Sequence, residues 1–229
     1  LLLLSRSLQD CGRDMILSLS PGPALLEKAE LYKQTSNMWR ITDDFWDSWP
    51  QLYEMFDRAR EWCIHAGNGC WPDADMLPIG PIKQDYDPAL RTEFTQDEQI
   101  TMMSLWSIFR SPLIIGGEMT GFDDFTMGLI TNEEILKMHR NARHSHPVWQ
   151  RDIDGTEHIL WTAVSSEGGQ YAVIFNTGEQ DSSIRIPLQD LEIYHPVHST
   201  ELWSGQTSEI AETINVSLKK HGAAVFYLN

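Results

Sequence analysis

Positive charge is scarce in this chain. Against 33 Asp and Glu stand only 17 Lys and Arg, a formal charge of −16 over 229 residues. Such a surface repels polyanions, which excludes nucleic acid and the anionic face of a membrane as natural partners and leaves neutral small molecules open. Long apolar runs are also lacking. No stretch approaches the length that crosses a bilayer, and Leu1 to Leu4 is too short, and lacks the flanks, to be a secretory signal; it reads as the tail of a helix. Cysteine is sparse. Three residues (Cys11, Cys63 and Cys70) leave at least one unpaired, so no disulfide framework is implied, and Cys63 and Cys70 either bridge or stay free. No Gly-x-Gly-x-x-Gly or Walker pattern surrounds Gly116-Gly117, so phosphate-loop chemistry has no motif. His139, His144 and His146 lie close together, but without the carboxylate or cysteine spacing of a zinc site; neither metal nor cofactor is expected.

What is abundant is apolar and aromatic matter. At 41% apolar and 22% charged, the composition is that of a globular protein able to bury a sizeable core. The densest stretch is Met38 to Trp49, with three indoles, three aspartates (Asp43, Asp44, Asp47) and Arg40 in a dozen residues. Aromatic walls beside paired carboxylates raise a carboxyl pKa far enough for general-acid work, and indole faces stack on the apolar face of a sugar. Arginine supplies a planar fork of donors. The plainer reading is that Asp43 or Asp44 caps a helix starting near Trp49-Pro50 and the indoles are core.

Taken in order, the chain starts without Met and in mid-pattern, so an N-terminal truncation is expected; Leu2 to Leu8 reads as a helix closed by Gly12. Met15 to Ser20 is a nearly continuous apolar run, expected as a strand buried on both faces, and Pro21-Gly22-Pro23 ends it. Helical spacing follows over Ala24 to Ser36, a short strand over Asn37 to Thr42, and a helix over Trp49 to Trp62. A third strand-like run passes through Trp71 to Gly80, where Asp73 and Asp75 would point to one side if extended. Thr95 and Glu98 form a capping box opening a helix to Phe109. Ser111 to Gly117 is the fourth strand-like run, and a helix from about Asn132 to Asn141 closes the series. Four strand-loop-helix units predict an α/β fold with parallel strands. A (β/α)8 TIM barrel needs eight, so the expectation is its second half, strands 5 to 8, over residues 1–146. Residues 147–229 change to short alternating runs (159–164, 171–176, 183–186, 193–197, 213–218 and 223–228), an antiparallel β-sandwich holding no acid, base or nucleophile cluster.

With these pieces placed, the sequence resembles glycoside hydrolase family 27, the α-galactosidases or melibiases, over nearly its whole length. The matching residues are Gly12-Arg13, Trp39-Arg40 with Asp44 four beyond the arginine, Asp47-Ser48-Trp49, and Gly69 through Gly80 with its Trp71-Pro72-Asp73-Ala74-Asp75-Met76-Leu77 core. Further matches are Met103 to Ile108 with Ser111-Pro112-Leu113, Glu201-Leu202-Trp203, and His221-Gly222-Ala223-Ala224. The resemblance implies a retaining hydrolase releasing terminal α-linked galactose or N-acetylgalactosamine by double displacement. Asp44 would be general acid and base, with Asp43 its local rival; Arg40, Asp75, Met76 and Ser20 would bind substrate, and Asp73 would order the loop. The nucleophile of that family is an aspartate on the fourth strand, which would precede residue 1, so the missing half of the barrel is the implied partner and the fragment alone would not turn over. Where the α-galactosidases carry Cys-Glu-Trp-Pro, this chain has Leu19-Ser20-Pro21-Gly22. The serine is similar to that of the α-N-acetylgalactosaminidases, but Pro21-Gly22-Pro23 follows neither pattern. Family habit places such proteins outside the cell or in the periplasm. The alternative is a catalytically silent, carbohydrate-binding relative.

Overall fold

A six-stranded antiparallel sheet is the wall on which the structure is built. The computed structural model describes residues 1–20, 22–82 and 90–229. The sheet runs in the order β4 (Ala142–Ile153), β5 (Thr156–Ser165), β6 (Gln170–Asn176), β11 (Ala223–Leu228), β8 (Val197–Glu201) and β9 (Thr207–Ile210). One of its faces, with Leu160, Ile174 and Phe226, packs on a two-stranded sheet of β7 (Ser182–Pro187) and β10 (Thr213–Leu218) through Ile184, Ile186, Ile214 and Leu218. The opposite face, carrying Trp161, Val173, Phe175 and Val225, belongs to a second core shared with the helices of the N-terminal half. That double burial explains why the runs at 159–164 and 171–176 are far more apolar than a one-sided strand needs.

The N-terminal half is a sector of parallel α/β structure. Helix α1 (Leu2–Asp10) closes on Gly12 with a left-handed φ of 71°. A parallel sheet of β1 (Ser18–Leu19), β2 (Met38–Arg40) and β3 (Trp71–Asp73) follows, interleaved with α2 (Ala29–Thr35) and α3 (Trp49–Trp62). The fourth run does not form a full strand; it is present as a parallel bridge between Leu77 and Ile115. Helix α4 (Gln96–Phe109) opens with the expected Thr95–Glu98 capping box and is buried nearly all round. Helices α5 (Asp124–Thr131) and α6 (Glu133–Asn141), capped by Asp123 and Asn132, complete the sector. The architecture is the second half of a (β/α)8 barrel followed by an antiparallel β-sandwich.

Two expectations need correction, and one open choice, the state of the cysteines, is resolved. Met15 to Ser20 is not buried on both faces: only Ser18–Leu19 is strand, and Ile16 is 77% exposed, because β1 is the edge of the sheet and is paired on β2 alone. The sandwich contains β4, β8 and β9, which alternation did not reveal, and Ile193 to Pro196 is connection rather than strand. The three cysteines are all free.

The two halves are bound through polar as well as apolar contacts. Phe56 meets Phe175 edge to face at 4.9 Å. His221, buried and held at φ 59°, stacks on Trp49 at 3.5 Å, and its Nδ1 lies 2.7 Å from Glu98 Oε1. The Thr101 hydroxyl donates to the His221 carbonyl at 2.6 Å. Tyr53 Oη donates to Glu157 Oε2, which also accepts from Thr177, while Gln150 donates to Oε1. Burial raises the Glu157 pKa, but the bonds from Thr177, Gln150 and Tyr53 outweigh it and the net shift is downward. A carboxyl depressed in the folded state contributes stability above its unfolded pKa and loses it as pH falls through the folded value.

Two outcomes follow for stability. His221→Ala should lose about 2–4 kcal/mol, since it removes the bond to a buried carboxylate and leaves Ala at positive φ; the urea midpoint measures this. Glu157→Gln should destabilise at pH 7, with the difference from wild type shrinking below about pH 4, read from thermal melts across pH.

Candidate active site

Parallel strands point their C-terminal ends the same way, and in β/α barrels that end carries the chemistry. Arg40 closes β2 and Asp73 closes β3; the two are register partners. Beyond them the backbone departs sharply from extended geometry at Asp75, which has φ 76°. The expectation that Asp73 and Asp75 share one side is therefore wrong. Left-handed backbone is better tolerated by Asp than by most residues but still costs about 1 kcal/mol, so the surroundings must hold it.

They do so from four directions. Asp75 Oδ2 accepts from the Phe45 amide at 2.9 Å and pairs with Arg40 Nη1 at 3.0 Å. Oδ1 accepts from the Met76 amide at 2.7 Å. The buried indole of Trp106 on α4 donates to the Asp75 carbonyl at 3.0 Å, and the Asp75 amide donates to Asp73 Oδ1 at 2.9 Å. Asp73 is buried and engaged with its own loop, and burial pushes its carboxyl pKa up. Asp75 thus acts on the site by holding Arg40 and the turn after β2.

Arg40 is the hinge between this buried knot and solvent. Its Nη2 donates to Asp44 Oδ1 at 2.6 Å, and Nε to the Thr42 carbonyl at 3.3 Å. Burial alone would lower the Arg40 pKa, but the bond to Asp44 and the charge of Asp75 reverse the direction, so the cation is fixed. The Arg40 side chain is 16% exposed and Asp75 15%, whereas Asp44 is 80% exposed. One carboxylate oxygen of Asp44 is anchored while the group faces open space. Asp43 differs: a Cβ added to Gly22 would meet Asp43 Oδ1 at 3.4 Å, so that carboxylate lies against the loop after β1. Neither aspartate caps α3, whose N-cap is Ser48 without a side-chain bond.

The remaining expected residues fall around this centre. Ser20 follows Leu19, the register partner of Trp39, and so stands at the level of Arg40 at the exposed end of β1. The Ala24 amide donates to the Arg40 carbonyl at 2.9 Å, drawing the intervening loop over the strand ends; Pro21, the first residue of the unusual Pro-Gly-Pro, lies outside the described residues. Met76 is half-buried against Gly116, where any Cβ would come within 2.4 Å of its Sδ. Sequence reading missed the part Gly116 plays, placing it at the end of the fourth strand-like run and weighing it for chemistry only as part of a phosphate loop. The signal available was a Gly-Gly pair ending a strand-like run, a place where close backbone approach is usual. The indoles divide: Trp39 is core, Trp49 stacks on His221, and Trp46 is 40% exposed near Asp44 in sequence.

Family models match both halves of the chain. The family profile described as Alpha galactosidase A matches residues 2–141, and that of the Alpha galactosidase C-terminal beta sandwich domain matches 155–228. The chain belongs to glycoside hydrolase family 27. Within that family, alpha-galactosidase D of Emericella nidulans is 25% identical over 196 residues, covering 85% of this chain and 28% of its own length. Alpha-galactosidase 2 of Arabidopsis thaliana is 23% identical, covering 98% and 54%. Among solved structures, a family 27 β-L-arabinopyranosidase from Geobacillus stearothermophilus is 41% identical with a TM-score of 0.93, covering 99% of this chain and 52% of that one. A Bacillus halodurans protein provisionally assigned as an α-N-acetylgalactosaminidase is 37% identical, with a TM-score of 0.81 and the same coverage. The chain spans about half the length, or less, of these relatives.

Asp75→Asn keeps a side chain that tolerates positive φ but has one acceptor oxygen where two are used. It should lower stability by about 2–3 kcal/mol, read from the urea midpoint, because a backbone amide and Arg40 lose their charged partner.

Proposed function

We propose that this chain forms the acid/base half of a retaining glycoside hydrolase that removes terminal galacto-configured pyranoses. The observation that carries the reading is Asp44: a solvent-facing carboxylate anchored through one oxygen on Arg40, which is itself fixed by Asp75. In the first half-reaction Asp44, as the acid, gives its proton to the glycosidic oxygen while a nucleophilic carboxylate takes the anomeric carbon. In the second, the same group removes a proton from the water that releases the sugar. Arg40 presents its remaining donors to sugar hydroxyls, Met76 gives an apolar wall, and Ser20 borders the 2-position.

Retention requires a second carboxyl about 5–5.5 Å from the first. Among the carboxylates at these strand ends, Asp73 is buried and Asp75 is occupied by three donors, so neither is available. The nucleophile is assigned to polypeptide outside these 229 residues, as is the rest of the barrel wall. The resemblance to a β-L-arabinopyranosidase at 41% identity bears on the sugar. β-L-Arabinopyranose has the ring configuration of α-D-galactopyranose with hydrogen in place of the C5 hydroxymethyl, so one set of hydroxyl contacts serves both. The substrate class is therefore the β-L-arabinopyranosides and α-D-galactopyranosides, with N-acetylgalactosamine a third member that the short Ser20 side chain accommodates. The second reading, sugar binding without turnover, applies to these residues on their own, since Asp73 and Asp75 are both engaged and the reaction uses a second carboxylate beside Asp44.

The full-length gene product should hydrolyse an aryl β-L-arabinopyranoside and an aryl α-D-galactopyranoside with retention at the anomeric carbon, followed by proton NMR. On a substrate with a sugar leaving group, Asp44→Asn should reduce kcat/KM by about 10²–10⁴. Wild-type rates in that variant would remove Asp44 from the acid/base role, and an inverted first product would exclude double displacement.

A further inference from the structure

The strand ends opposite Arg40 carry a second polar centre with the reverse charge. Trp71 opens β3 and pairs in register with Met38, the first residue of β2. Beside it lies a cavity of about 780 Å³ walled by Arg110, Arg143, His144, Ser145 and His146, together with Trp71 and Asn68. No carboxylate among the described residues lines it. In a chain with nearly twice as many acidic as basic residues, that composition is not what chance distribution produces.

Both guanidiniums are held in place without being neutralised. The Arg110 guanidinium carbon lies over the Trp71 ring, 4.4 Å from its centroid; its Nε donates to the His139 carbonyl at 3.1 Å and its Nη2 to the Arg140 carbonyl at 3.5 Å. Arg143 Nη1 donates to the carbonyls of Arg140 and Ala142, each at 2.8 Å. His139 and Arg140 lie in the last turn of α6 and Ala142 is its C-cap, and the dipole of that helix end amounts to about half a negative charge against two full positive ones. Neither arginine forms an ion pair among the described residues. Burial, and then the like charge of Arg143, bring the Arg110 pKa down to about 10. The Ser145 hydroxyl oxygen is buried with no hydrogen-bond partner, a further donor unused in the wall. Arg110 also holds a left-handed backbone at φ 67° to reach this position.

We infer that the cavity between the 63–68 segment, the start of β3, the end of α4 and the start of β4 is a binding site for a phosphate-class oxyanion, taken either as the free ion or as the monoester of a small sugar. Two guanidinium forks with unused N–H groups match the oxygens of such an anion, and bidentate charge-assisted bonds are the strongest that these side chains make. Asn68 and Ser145 complete the donors. The site is separate from the Arg40 centre and rests on none of the hydrolytic assignments.

Calorimetric titration of the full-length gene product tests this with sodium phosphate and with glucose 6-phosphate, each against sodium chloride at equal ionic strength. Saturable phosphate binding is expected, at least about tenfold weaker in Arg143→Gln and unchanged in Arg185→Gln on the distant sandwich. Arg143 is exposed, so its replacement leaves the fold intact; Arg143→Lys, which keeps the charge but not the fork, should fall between the two. Tighter binding of glucose 6-phosphate than of phosphate assigns the ester as ligand, and equal affinity assigns the free ion. Heats indistinguishable from chloride, or undiminished phosphate binding in Arg143→Gln, overturn the assignment. Hydrolysis assays on the same preparations keep this outcome distinct from the fate of Asp44.

Discussion

The geometry of the candidate active site depends on one residue whose carboxylate is spent on the protein itself. Asp75 sits where β3 ends, and its left-handed backbone turns the carboxylate back toward β2. From there it holds the Phe45 amide, the Met76 amide and Arg40, while its carbonyl takes the Trp106 indole proton. Two strand ends and the largest buried side chain of α4 are thereby tied at one point. Without that knot, Arg40 would be a flexible side chain at a strand end and Asp44 a freely moving surface aspartate. With it, an exposed carboxylate acquires a fixed direction, which acid/base chemistry needs more than it needs burial.

The same economy of position appears in the shared sheet. Strands β5, β6 and β11 are buried on both faces, by β7 and β10 on one side and by α3 and α4 on the other. The sandwich supplies no group to the Arg40 centre. It encloses the outer face of α4, and α4 delivers Trp106 to Asp75. Glu98 links these roles, since one oxygen closes the capping box at the start of α4 and the other meets His221 from the sandwich. A helix anchored at its first turn by one domain and at its third by the site loop has little freedom to shift either.

Much of this was legible in the sequence, and the failures have physical causes. Periodicity located α3 and α4 closely, because long amphipathic or buried helices with a Ser or Thr cap carry redundant signals. Arg40 pairs with both Asp44 and Asp75, and the Met76 amide donates to Asp75, so residues of the Trp39 to Asp44 and Trp71 to Met76 motifs lie together. What misled was the assumption that apolarity means burial on both sides and that aspartates two apart sit on an extended backbone and so share a face. Ile16 is apolar yet exposed at a sheet edge, and Asp75 leaves the strand through a backbone angle that no side-chain pattern announces. β8 and β9 escaped because polar residues alternate too weakly there; their burial patterns are mostly exposed or intermediate. Gly116 was visible as a glycine, but its meaning depends on Met76 lying against it, a contact across 40 positions of chain.

The two ends of the parallel sheet divide the polar work by sign. At the C-terminal ends, three aspartates surround one arginine; at the N-terminal ends, two arginines stand with no carboxylate among the described residues. Helix α4 touches both, through Trp106 near one and Arg110 at the other, with a single turn of helix between them. The connection continues beyond the helix: Ser111, next to Arg110, accepts the Ala74 amide proton through its hydroxyl, and Ala74 precedes Asp75. An anion drawing Arg110 and Arg143 together would relieve like-charge repulsion at the helix end where Ser111 and Trp106 are fixed.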